Sequence, residues 1–245
     1  MVYFIHRFQR DYQFAMHMMR DLGLAFDRLE TDQDLRVGVL YGEGGVFTSG
    51  LDLMKFVPIL SGQQKPEPIA GIDPMQLKTR CTKPLIAAVS GITFTVGIEL
   101  MLACDIVVAA DDTVFSQMET ARGIMVSGGG TARWVQQVGW GNAMYHLLRA
   151  DKFDAAEALR IGLVQEVVPA SQLLDRAYAL AREIAANAPL AVRETKRSAL
   201  LAQTDGEKAA FAILDETQAR LAKSADVMEG VSAMMQKRAP VFKGE

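Results

Sequence analysis

Apolar residues recur along this chain in two different periods, and the change between them divides it. Between residues 14 and 30, Phe14, Met18, Leu22, Phe26 and Leu29 fall four and three apart, which predicts an amphipathic helix. "RVGVLYG" (36–42) is rich in β-formers and stops at glycine, so it predicts a strand, followed by the glycine-punctuated loop "GEGGVFTSG". "LDLMKFVPIL" opens a short helix that Pro58 should limit. Residues 61–74 are polar and proline-spotted and read as a mobile surface loop. Then comes "PLIAAVSG" (84–91), an unbroken apolar run that predicts a buried strand. "IELMLACD" reads as a short buried helix and "DIVVAAD" as another buried strand. "TVFSQMET" reads as a further strand, running into the glycine-rich "RGIMVSGGGT".

After Thr131 the pattern turns helical. "ARWVQQVGWGNAMYHLLRA" and "DAAEALRIG" predict helices, and "LVQEVVP" predicts one last strand. Helices are then expected at 170–187, 189–202, 206–223 and 225–237. Strand–helix alternation followed by helices alone implies an α/β core with an all-helical extension. The division falls at 1–187 for the core and 188–245 for the helical region. No internal repeat or low-complexity segment interrupts this order.

Composition narrows the function. The 245 residues are 50% apolar with a net charge of −3, which suits one large globular core. So balanced a charge leaves no electrostatic footprint for nucleic acid or an anionic membrane. Cys81 and Cys104 form no framework and read as reduced core thiols of a cytoplasmic protein. The first residues, "MVYFIHRFQRDYQF", have neither a long apolar core nor a small-residue cleavage site, and no segment reaches the length of a membrane span.

Most familiar chemistries find no motif here. His6, His17 and His146 have no metal-ligand spacing and read as ordinary surface or interface residues. No serine sits in G-x-S-x-G, and no Ser–His pair suggests a peptidase. The glycine loops complete neither a P-loop nor G-x-G-x-x-G after a strand. Glu99 is different, being the one charged residue between Lys83 and Asp105. A carboxylate near a helix N-terminus can merely complement the dipole. Burying one is expensive unless it is paired or partly protonated, and that cost often marks a site. Glu119, in "FSQMETARG", alone reads as a solvated loop residue. With Glu99 converging on it, it would complete a general acid/base pair.

Three linked segments then carry a resemblance. "VFTSGLDL" resembles the F-[ST]-x-G-x-D-[LI] segment of the crotonase superfamily, the enoyl-CoA hydratases and isomerases. "AVSGITFTVGIELMLACDIVVAAD" resembles its A-V-x-G-x-x-x-G-G-G-x-E-L-x-x-x-C-D segment. "FSQMETARGIMVSGGGTARW" resembles its F-x-x-P-E-x-x-x-G-x-x-P-G-x-G-G-T stretch. Order and intervals fit, from about Ile5 to the C-terminus. The chain departs from the family pattern at Thr95-Val96-Gly97 (G-G-G in the family), Met118 (proline) and Ser127 (glycine). Its N-terminal segment reads as lacking the full first strand.

The resemblance implies a spiral of ββα repeats with a helical C-terminal trimerisation region, and a homotrimer or hexamer. It implies an acyl-CoA thioester substrate, no separate cofactor and no metal. Glu99 and Glu119 fall on the family's two catalytic glutamates, and Leu51 and Val96 on its two oxyanion-hole N–H donors. Ser49, Gly50, Asp52, Gly97 and Ser127 fall on substrate-binding positions. Having both carboxyls favours hydration of 2-enoyl-CoA over Δ3,Δ2-isomerisation, which needs only one. A non-catalytic acyl-CoA-binding oligomer is the alternative of another class.

Overall fold

The computed structural model describes residues 2–5, 13–14, 16–65 and 68–245. Its strands are β1 (Val2–Ile5), β2 (Gln13–Phe14), β3 (Val37–Tyr41), β4 (Gly50–Leu51) and β5 (Leu85–Val89). They continue as β6 (Ile92–Phe94), β7 (Ile106–Ala110), β8 (Val114–Ser116), β9 (Phe153–Asp154) and β10 (Glu166–Val168). Helices α1 (Met16–Thr31), α2 (Leu53–Leu60), α3 (Val96–Met101), α4 (Gly130–Arg149) and α5 (Ala155–Arg160) alternate with them. The chain closes with α6 (Leu173–Ala185), α7 (Pro189–Asp205), α8 (Glu207–Ala212), α9 (Leu214–Leu221) and α10 (Ala225–Gln236).

Five strands make a wholly parallel sheet in the order β1-β3-β5-β7-β10. Both its faces are covered, which is why its strands read as unbroken apolar runs. Val37, Val39, Ile86, Ala88, Val108 and Ala110 meet Leu173, Ala177 and Ala181 of α6 on one face. Alternate residues, among them Leu40, Leu85, Ala87 and Val107, face the larger core with Phe26, Leu29 and Trp134. Burying a leucine or phenylalanine there stabilises the fold by roughly 1.5–3 kcal/mol.

A second, smaller sheet runs β6-β8-β9, and Thr48 extends it through a bridge to Thr93. The chain therefore repeats one turn three times: a strand in the large sheet, a short crossing in the second layer, then a helix. β3, Thr48 and α2 make the first turn, β5, β6 and α3 the second, and β7, β8 and α4 the third. This is the spiral of ββα units.

Three details refine the sequence reading. Pro58 lies inside α2, which stops two residues beyond it at Leu60, where the Ser61 N–H meets the Val57 carbonyl. The N-terminal segment carries a short strand, the four residues of β1, in register with β3 from Val2 beside Val37 to Ile5 beside Leu40. β6 is only three residues long, too short to interrupt the apolar run around it. His6 lies outside the described residues.

The C-terminal helices are tied to the core by charge. Lys196 Nζ sits 2.7 Å from Asp105 Oδ2, which also accepts the Leu85 N–H at 2.8 Å, and Arg193 pairs with Glu30 at 3.0 Å. Among the described residues no helix is long and apolar enough to cross a membrane.

Candidate active site

The register between β6 and β8 builds the site. Phe94 pairs with Ser116, and one residue further on the Thr95 N–H donates to the Ser116 carbonyl at 2.9 Å. The two strands therefore release their chains side by side, one into α3 with Glu99, the other into the 3₁₀ turn 120–122 with Glu119 just ahead of it. α3 is buried over all six residues, so Glu99 has no route to bulk water along its own helix. Glu119 is equally enclosed, and its main-chain carbonyl accepts the Arg122 and Ile124 N–H groups at 2.9 and 3.2 Å.

Each carboxyl has a defined mooring. Glu99 Oε1 accepts the N–H of Gly130, the first residue of α4, at 3.0 Å. The glycine loop wraps closely enough that a Cβ on Gly128 would lie 2.7 Å from Glu99 Oε2. Glu119 Oε1 accepts Gln117 Nε2 at 2.9 Å, while its Oε2 is buried with no hydrogen-bond partner among the described residues. Burial pushes Glu99 up to about 7; the charge of Glu119 adds to the rise, and the Gly130 and Gly128 N–H groups and Arg133 oppose it. Glu119 is raised as well, chiefly by burial. The Glu119 charge felt at Glu99, with the side-by-side release of the two chains from β6 and β8, makes the two carboxyls a candidate pair.

The other predicted residues divide. Gly50, at φ +108°, lies so close to the Thr95 side chain that an added Cβ would clash with its Oγ1, so Thr95 packs directly over the backbone before Leu51. β4 packs on α3. Val96 and Gly97 open α3, and helix-opening N–H groups have no intrahelical acceptor. The positive φ of this turn falls on Thr95 (φ 49°, ψ −111°), leaving Val96 in the helix. A β-branched residue held in such a conformation costs about 1–3 kcal/mol. Gly97 is buried against Thr48 and Phe47, Ser49 and Leu51 are half-buried, and Ser127 is exposed one residue before Gly128. Asp52 stands at the N-terminus of α2, where its carboxylate pairs with Lys55 at 2.9 Å, a bond that holds it below the usual carboxylate range.

Several residues at the site went unread in the sequence. Gln117 and Trp134 are fully buried, and Trp134 Nε1 donates to Gln117 Oε1 at 3.1 Å. Arg133 gives its guanidinium to the carbonyls of Met75 and Gly128 at 2.6 and 3.3 Å, binding the glycine loop to residues 73–80. His146 needs correction: it is buried rather than at the surface, with Nδ1 3.2 Å from Asp151 and its ring 4.1 Å from that of Phe153. Two flanking acids and an aromatic wall make that burial affordable. Of the cysteines, Cys81 is a free thiol that burial pushes up to about 12. Among the described residues no group of three or more His, Cys, Asp or Glu could hold a metal ion.

A cavity of about 280 Å³ lies elsewhere, between Leu35, Lys83, Leu190 and Lys243. Its charges are already engaged, Lys83 with the Leu29 and Asp32 carbonyls and Arg36 with those of Ala185 and Phe242, so it reads as a structural joint.

The enoyl-CoA hydratase/isomerase family model matches residues 5–245. The chain belongs to the enoyl-CoA hydratase/isomerase family. It is 37% identical over 231 residues to an enoyl-CoA hydratase, EchA19, of Mycobacterium tuberculosis, covering 93% of this chain and 87% of that protein. It is 34% identical to the 2,3-dehydroadipyl-CoA hydratase of Escherichia coli, covering 87% of this chain and 83% of the relative. The crystal structure of a probable enoyl-CoA hydratase/isomerase from Mycobacterium abscessus superposes with a TM-score of 0.92 at 45% identity, covering 95% of this chain and 90% of that one. The crotonase fold expected from the three sequence segments is therefore the fold of this chain. Within that family frame, Glu99 and Glu119 hang from successive turns of the spiral, which brings residues twenty apart to neighbouring places in the fold.

Proposed function

We propose that this enzyme adds water across the double bond of 2-enoyl-CoA thioesters to give 3-hydroxyacyl-CoA. The observation that carries the reading is the pair of buried carboxyls, Glu99 and Glu119, released side by side by β6 and β8, with Glu99 pushed up to about 7 and Glu119 raised by burial. Relatives named as hydratases over most of the chain support it. Glu99, ionised, takes a proton from water as its oxygen bonds to Cβ. Electron density moves onto the thioester oxygen, where the N–H groups of Leu51 and Val96 receive it. Glu119, protonated, then gives its proton to Cα, and solvent exchange restores both carboxyls. A raised pKa suits each role, since burial disfavours the charged carboxylate and eases proton exchange, and Glu99 at about 7 has both protonation states within reach of neutral pH. One preorganised oxyanion donor is typically worth about 3–4 kcal/mol of barrier.

Ser49, Gly50, Gly97 and Ser127 line the approach to the thioester in this reading. Asp52 acts from the rim, its charge already held by Lys55. Coenzyme A arrives with the substrate, and no further cofactor takes part. The helical region 188–245 carries self-association into a homotrimer or a hexamer. Met228, Val231, Met234 and Met235 leave an apolar face of α10 exposed in the single chain, which supports this. Sedimentation velocity reads the oligomeric state. Two unpaired thiols support a reducing, cytoplasmic location.

Turnover of a 2-enoyl-CoA in H₂¹⁸O tests the reaction. Loss of the conjugated thioester absorbance with ¹⁸O at C3 of the product is expected. Conversion of a 3-enoyl-CoA without label would instead make the enzyme an isomerase, and acyl-CoA binding without reaction would make it a binding protein. Gly128→Ala tests the cradle around Glu99. A methyl 2.7 Å from Oε2 must displace the carboxylate, so kcat should fall about 100-fold with an unchanged circular dichroism spectrum.

A further inference from the structure

α4 touches the Glu99 carboxyl directly and reaches the Glu119 carboxyl through Gln117. Gly130 at its start donates to Glu99, and Trp134, four residues on and therefore on the same face, donates to Gln117. An indole N–H can only donate, so Gln117 must turn its oxygen to Trp134 and its NH₂ to Glu119. Both observed distances, 3.1 Å for the first bond and 2.9 Å for the second, fit that direction. The NH₂ in turn needs an acceptor, which makes Glu119 Oε1 the oxygen that carries no proton. Only Oε2 remains for it. Both intermediate side chains are fully buried, so water does not compete for these bonds.

We infer that Trp134 is a positioning residue for Glu119, acting through the Gln117 amide to keep Oε1 unprotonated and the transferable proton on Oε2. The inference rests on the hydration reading only for its kinetic consequence; the hydrogen-bonded chain stands without it. The other ionisable groups around the chain are Glu99 from α3, Arg133 beside Glu99, and His146 from α4, whose ring lies 5.8 Å from that of Trp134. His146 is itself flanked by Asp151 and Glu157.

Trp134→Phe removes the N–H and keeps an aromatic ring. Gln117 is then free to rotate, and its carbonyl can accept a proton from Glu119, which favours the protonated acid. The alkaline limb of kcat/KM, where the proton donor is lost, should move up by about 0.5–1 pH unit, the worth of one hydrogen bond. Gln117→Leu should move it in the same direction, and adding Trp134→Phe to Gln117→Leu should move it no further. A limb unmoved by Trp134→Phe, or a Trp134→Phe shift that persists in the Gln117→Leu background, overturns the inference.

A second measurement uses the unmodified fold. The chain has two tryptophans, so a ¹⁵N-indole spectrum carries two signals, from buried Trp134 and exposed Trp140. The Trp134 signal should titrate with Glu119 and lose that step in Glu119→Gln. An identical titration in wild type and Glu119→Gln overturns the relay, whatever the activity does. A titrating indole together with full activity in Glu119→Gln would instead leave the relay standing and sink the hydration roles.

Discussion

Glu99→Gln and Glu119→Gln are each expected to lower kcat by about 10²–10⁴-fold, the range general acid or base catalysis supplies. Both substitutions keep shape and most hydrogen bonding. A glutamine at 99 can still accept the Gly130 N–H that Glu99 Oε1 now accepts at 3.0 Å. What each loses is the ability to exchange a proton near neutral pH. KM should change little, because in this reading the thioester is held by main-chain N–H groups. Steady-state kinetics on a 2-enoyl-CoA, with circular dichroism as the control for folding, check the expectation. Wild-type turnover in either variant would remove that residue from the reaction.

Glu99→Gln should also stabilise the protein, and only at higher pH. The Glu99 carboxyl titrates near 4.5, like an ordinary glutamate, when unfolded and at about 7 when folded, because burial penalises its charge. Below pH 4.5 it is protonated in both states, and substitution changes little. Between 4.5 and 7 the unfolded chain releases the proton while the folded protein retains it, so wild-type stability falls as pH rises. Above about pH 7 the difference levels off at about 3 kcal/mol, because each pH unit between the unfolded and folded titrations is worth about 1.36 kcal/mol. Denaturation of both proteins at pH 4 and pH 8, at one protein concentration, reads the difference directly. Equal stabilities at pH 8 would mean that the carboxylate is not desolvated in the folded state.

Much of this was legible before any coordinates. The apolar runs at 84–91 and 105–111 announced strands covered on both faces, and they are the centre of the parallel sheet. The isolation of Glu99 in its apolar setting announced a costly burial, and α3 is buried throughout. What could not be read was convergence. Glu119 became interpretable only through the pairing of Phe94 with Ser116, a register that no local pattern encodes. Gln117 and Trp134 carried no signal because an amide and an indole become a relay only when both are buried at hydrogen-bonding distance. His146 misled for the same reason: its partners Asp151 and Glu157 lie in the following loop and helix, where the sequence gives no sign that they turn back toward it. Pro58 costs α2 the one bond its N–H would give to the Met54 carbonyl, and the helix stops two residues later at Leu60.

The central claim is that charge forming on a thioester oxygen meets two fixed main-chain N–H groups while two acids work on one face of the acyl chain. A crystal structure with a bound acyl-CoA analogue tests it most directly. The account predicts the Leu51 and Val96 N–H groups within about 2.7–3.1 Å of the thioester oxygen, with Glu99 and Glu119 on the same side of Cα and Cβ. A thioester oxygen bound away from either N–H group, or an acyl chain lying between the two carboxyls with one on each face, would contradict it.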